Sequence, residues 1–129
     1  MIDLTGFSRF EISGEGTSQW LETLITGRLP KIGKVGLIYF SSHKGKVLTE
    51  MTATRISEDH VWLLTGAGAY WHDRDWLNFN LPESSNIKIV DSTHDLGTML
   101  LTGPKSDLLI ATIFCAQEYK HLLISGSTE

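Results

Sequence analysis

Cysteine occurs once in this chain of 129 residues, at Cys115, so no internal disulfide can form and no paired-cysteine metal site can be built. The five histidines are scattered, with no pair at a metal-ligand spacing, and no metal is expected. Proline occurs three times, and neither a linker, a low-complexity segment nor an internal repeat breaks the chain. No basic run is present: 11 Lys and Arg stand against 15 Asp and Glu, for a net charge of −4 and a pI of about 5.7. Nucleic-acid binding through phosphate neutralisation therefore has little to work with. The longest apolar runs fall far short of the ~20 residues that span a bilayer, so no membrane partner is expected. Met1-Ile-Asp-Leu-Thr-Gly6 lacks the basic start and apolar core of a signal peptide, and a cytoplasmic protein is the expectation.

What is present is ordinary for a folded domain: 41% hydrophobic and 20% charged residues. A chain of this length suits one domain and buries roughly two-thirds of the surface of its unfolded form. Ser8 to Ile12 alternates polar and apolar, as a half-buried strand does. Trp20, Leu21, Leu24 and Ile25 recur at helical spacing, and Gly27 and Pro30 supply a stop. Val35 to Ser41 is a second strand, His43 to Lys46 a hairpin turn, and Val47 to Ile56 a long third strand rich in threonine. Glu58-Asp59-His60 turns the chain into Val61 to Thr65. Gly66-Ala-Gly68 then opens a second helix running to about Asn78, ended by Leu81-Pro82. Further strands are expected at Ile87 to Asp91 and Gly97 to Thr102. Pro104 leads a third helix with Leu108, Leu109, Thr112 and Ile113 on one face, and Tyr119 to Ser125 is a last strand or frays. The order gives an α+β fold, a mostly antiparallel sheet with flanking helices.

Glu50 is the residue that draws attention. An ionisable side chain in a strand of apolar and hydroxyl residues is costly unless it lies at an edge, finds partners or works on a ligand. Alternation puts Leu48, Glu50, Thr52, Thr54 and Ile56 on one face. A carboxylate between two threonines there could bind a pterin ring or an amine nitrogen; equally, Glu50 could be a solvated glutamate on an exposed face. Thr52 is either a hydroxyl donor beside it or a β-branched residue suited to a strand. His72, Trp76 and Phe79 stand at helical spacing, which makes His72 a packing residue; no nucleophile partners it in a recognisable arrangement. Gly14-Glu-Gly16 and Gly66-Ala-Gly68 are half-matches to a dinucleotide fingerprint without its third glycine, so they are turns and neither flavin nor nicotinamide is expected. Of the four tryptophans, Trp71, opposite Leu77 on its helix, should be exposed.

The segments Asp3–Gly14 and Gly45–Leu77 resemble the folate-binding aminomethyltransferase domain of the glycine cleavage T-protein family. That domain also forms the C-terminal side of dimethylglycine and sarcosine dehydrogenases. Gly66-Ala67-Gly68-Ala69 followed by His72-Asp73 is most similar to the dehydrogenase branch. The resemblance implies the fold class above and one domain over residues 1–129, the N-terminal portion of an aminomethyltransferase folate-binding domain. It implies tetrahydrofolate as the cofactor and Glu50 as the catalytic carboxylate that hydrogen-bonds folate and assists transfer. Where the T-protein pattern has two acidic residues, this chain has Thr49-Glu50, so only Glu50 matches. Thr52 becomes the companion hydroxyl donor to folate. Gly66 lies where T-proteins carry an asparagine that holds the pterin, leaving only backbone groups. The family's downstream Tyr-Thr-Gly-Glu-type motif, which closes the pocket, is absent, as is the later barrel-like domain. The chain is thus a piece of a larger enzyme or a short relative whose open face is covered by a homodimer partner or by the missing downstream domain. The function that follows is one-carbon transfer from an N-methyl glycine derivative to folate, partial or stand-alone. The alternative is a non-catalytic small-ligand-binding or dimerisation module derived from the family.

Overall fold

The threonine-rich run and its partner form the hairpin that their composition demands. In a computed structural model, which describes residues 1–113, they are the strands β5 (Val47–Ser57) and β6 (His60–Thr65). Around them, in chain order, stand β1 (Ile2–Asp3), β2 (Ser8–Ser13), α1 (Thr17–Leu24), β3 (Ile25–Thr26) and β4 (Val35–Ser41). After β6 come a short 3-10 turn at Ala67–Ala69, α2 (Tyr70–Phe79), β7 (Lys88–Asp91), β8 (Met99–Leu100) and α3 (Ser106–Ile113). Six strands make one sheet in the order β3-β4-β5-β6-β2-β7, every neighbour antiparallel. β1 and β8 pair separately, Ile2 opposite Leu100. The protein is therefore α+β, an antiparallel sheet with flanking helices, as the sequence led us to expect.

Alternation along the strands divides the sheet into two unlike faces. One carries Phe10 and Ile12 of β2, Ile38 and Phe40 of β4, Met51 and Ala53 of β5, and Val61 and Leu63 of β6. All are buried, in one cluster with Trp20 and Leu21 of α1 and Leu77 of α2. The opposite face carries Leu37, Tyr39, Glu50, Thr52, Trp62, Leu64 and Val90, which register places side by side. Leu37 is 53% exposed there, and Tyr39 and Val90 are exposed as well.

Several expectations need correction. Ile25 does not continue α1 but begins β3, opposite Phe40, where its branched side chain is buried in the core. Gly27, at φ 97°, therefore serves the β3–β4 connection and not the helix end. β1 and β3, two residues each, are too short to carry a periodicity. The run Gly97 to Thr102 contributes only Met99 and Leu100 to a strand, and the Ile87 run starts one residue late. Pro104 sits in the turn before α3, where the Ser106 amide bonds to the Gly103 carbonyl, rather than in its first turn. Leu108 and Leu109 lie exposed among the described residues. His72 and Phe79 stay out of the core: His72 is exposed with its ring against the Asp73 carboxylate, Phe79 is 83% exposed, and Trp76 alone of that trio lies against the core. Trp71 is exposed, as anticipated, with the Arg74 guanidinium over its ring. The run Tyr119 to Ser125 lies outside the described residues.

Candidate functional site

Register brings the expected residues together. Glu50 stands opposite Tyr39, and Thr52 opposite both Leu37 on β4 and Leu64 on β6, all on the open face. β6 ends at Thr65, and Gly66 turns the chain, in extended conformation, toward the helix behind the sheet. Where the strand gives way to that turn a hollow of about 310 Å³ opens. Phe7, Leu37 and Leu64 supply its apolar walls, with Thr49, Glu50, Thr52, Thr65, Gly66 and Ala69 making up the rest. Glu50 is exposed within it, and among the described residues its carboxylate has neither a hydrogen bond nor an ion pair. A solvated carboxylate of this kind carries little burial cost, and its lone pairs are open to donors from a ligand.

Behind the hollow lies a second carboxylate, to which the sequence pattern assigns no role at the site. Asp73, in the first turn of α2, is 0% exposed. Its Oδ2 accepts hydrogen bonds from Thr65 Oγ1 at 2.6 Å and Thr49 Oγ1 at 3.2 Å. Its Oδ1 meets His72 Nδ1 at 2.9 Å. One signal could have found it: Asp73 precedes the buried Leu77 by four residues and so shares its inward face. His72, expected as packing, instead sends its ring back from solvent onto this carboxylate.

A second hollow, about 410 Å³, is lined by Thr5, Gly6 and the loop Thr93 to Gly97, and shares no residue with the first. Beside it Arg9 is 5% exposed. Its guanidinium donates to the carbonyls of Thr5, Ser92 and Thr93 and to the Thr98 hydroxyl, clamping the 92–98 loop onto β2. Where β7 enters that loop, Asp91 accepts from Tyr70 Oη at 2.5 Å and from the Thr93 amide at 3.0 Å. Burial alone pushes the Asp91 carboxyl up, but these donors outweigh it and hold it below the usual carboxylate range. The same hydrogen bond to Asp91 raises the Tyr70 phenol above its ordinary value.

Residues 1–123 match the family model of the GCVT N-terminal domain. The chain is 30% identical over 105 residues to mitochondrial dimethylglycine dehydrogenase of Rattus norvegicus, covering 81% of this chain and 12% of the dehydrogenase. It is 21% identical over 115 residues to an aminomethyltransferase of Chloroherpeton thalassium, covering 88% of this chain and 32% of that protein. Among solved structures, the glycine cleavage system aminomethyltransferase T from Bartonella henselae is similar with a TM-score of 0.69 at 19% identity. That match covers 85% of this chain and 30% of the other, and it speaks for the fold. This chain thus spans a third or less of the length of these relatives.

Proposed function

The chain belongs to the GCVT N-terminal domain family, and from that premise we propose that it is the opening part of a tetrahydrofolate-dependent aminomethyltransferase-like unit. In this reading one carbon passes from an N-methyl glycine derivative to folate. The observation that carries it is the meeting of Glu50, Thr52 and Gly66 in a single hollow. The residues there suit a flat, polar-edged ring. Phe7, Leu37 and Leu64 offer apolar contact, and Glu50 offers unengaged acceptors. Gly66 has open space where a side chain would stand, so a ring can approach its backbone. When bound, tetrahydrofolate supplies the nitrogen that takes up the one-carbon unit. Glu50 would accept hydrogen bonds from the N–H groups of the ring edge or take a proton from the reacting nitrogen. Thr52 would donate its hydroxyl beside it, and Leu37 and Leu64 would cover that side of the ring.

A second reading, a non-catalytic ligand-binding or dimerisation module, is favoured by the open face itself. Leu37, Tyr39 and Val90 stand exposed there. Titration with tetrahydrofolate separates the two, because Trp62 on the same face supplies a fluorescence signal. A saturable change, weakened in Glu50→Gln, supports the folate site. No change up to millimolar ligand removes it and leaves the module.

A further inference from the structure

The backbone ladder between β5 and β6 runs from Ser57 opposite His60 to Thr52 opposite Leu64, and there it stops. The hollow opens beyond that pair, with Thr49 and Glu50 on one side and Thr65 and Gly66 on the other. What spans the gap is one atom. Asp73 Oδ2 accepts from both Thr49 Oγ1 and Thr65 Oγ1, the immediate neighbours of Glu50 and Gly66.

We propose that Asp73 is a positioning residue of this site: its carboxylate clasps Thr49 and Thr65 where the ladder ends and so sets the spacing of Glu50 and Gly66 across the hollow. His72 completes the arrangement by meeting the other oxygen from the solvent side. A fully buried carboxylate is strongly disfavoured unless its oxygens are met by donors, so the two threonine hydroxyls are held to it rather than free to turn. Side chains that line a hollow are only as well placed as the groups behind them. Here those groups come from a third element, α2, so the walls answer to the position of the helix as well as to the sheet. This inference rests on the reading of the hollow as a folate-type site.

The test uses the full chain and four variants, with a fifth, Thr49→Val, held for the case below. Thr65→Val removes the hydroxyl at nearly constant shape, Thr65→Ser keeps it, and Asp73→Asn removes the charge. Thr17→Val is a control, since Thr17 is equally buried but its hydroxyl serves the Gly14 carbonyl, away from the hollow. Tetrahydrofolate affinity is read by tryptophan fluorescence, stability by thermal melting, and amide hydrogen exchange in ligand-free protein. Thr65→Val and Asp73→Asn should each weaken binding by about tenfold or more. Thr65→Ser should bind as the parent does, and Thr17→Val should lose stability without losing affinity. If Asp73→Asn does not fold, Thr65→Val and Thr49→Val carry the comparison. Unchanged affinity in Thr65→Val, or equal weakening in Thr17→Val, overturns the positioning role while leaving the folate reading intact. Failure of the parent to bind sinks the folate reading instead, and exchange then judges the clasp. Faster exchange confined to residues 49–51 and 65–67 in Thr65→Val sustains it, and unchanged exchange there overturns it.

Discussion

At the scale of single residues, Glu50 and Gly14 illustrate opposite kinds of constraint. Glu50 is exposed and unpaired among the described residues, so the fold does not need it. Glu50→Gln should shift stability by no more than about 0.5 kcal/mol, as surface changes do. Its effect should fall on ligand: one-carbon transfer in any competent assembly should drop well beyond the change in melting temperature. Equal turnover in the variant would rule out a charge or proton role. Gly14 is the reverse. It ends β2 at φ 126°, and a Cβ there would stand 2.3 Å from the Asn86 carbonyl oxygen and 2.9 Å from the Ile87 Cα. Gly14→Ala should cost about 1–3 kcal/mol from backbone conformation alone, with the clash in addition. Urea denaturation should show the loss, and an unaltered midpoint would mean that the 86–87 segment yields freely. Gly14 was legible as a turn residue, but the backbone pressed against it was not.

Among elements, α2 is the one on which site and core both depend. Leu77 anchors it, 0% exposed in the core cluster, and Leu77→Ala should cost about 2–5 kcal/mol as a cavity forms. At its other end Tyr70, stacked on Phe10, donates to Asp91 and ties the helix to edge strand β7. The shifts on this pair set a pH window. The folded Asp91 carboxyl lies below its unfolded value, so its contribution is present above the unfolded value and lost as pH falls through the folded one. The folded Tyr70 phenol lies above its unfolded value, so its contribution is full below that value and lost as pH rises through the folded one. The stability difference between the parent and Tyr70→Phe should therefore be flat through neutral pH and shrink in both acid and strong alkali. Melting curves across pH would show it; a difference that grows toward acid would contradict the assignment. Periodicity made α1, α2 and the strands of the central hairpin readable. It could not find β1 or β3, because two residues held only by a distant partner leave no pattern.

For the molecule as a whole, the unlike faces of the sheet are the dominant fact. One is sealed by α1 and α2, and the other shows Leu37, Tyr39 and Val90 to solvent around Glu50. Among the described residues no helix is long and apolar enough to cross a membrane. Apolar surface of this kind favours association, and the expected outcome for the isolated chain is a homodimer burying about 1,000 Å² or more through this face. Light scattering at tens of micromolar should report twice the chain mass, and Leu37→Lys should return it to the monomer. Such an assembly should show no robust transferase turnover, since holding both substrates in place is where most of the rate arises. A monomer that turns over dimethylglycine and tetrahydrofolate would overturn both expectations.

The sequence by itself determined what depends on local chemistry. Alternation and β-branched runs set the strands, apolar spacing set the helices, and short polar turns made the central pairing antiparallel. Alternation alone also put Glu50 and Thr52 on one face. Tertiary structure decided whatever depends on residues far apart in the chain. It turned Ile25 into a strand by offering it Phe40, kept His72 out of the core with its ring on Asp73, and buried Asp73 against two threonines from different strands. It also brought Gly66 into the same hollow as Glu50. The physical reason is range. Backbone propensity acts over a few residues, whereas the burial of a carboxylate is settled by which donors the folded chain brings to it.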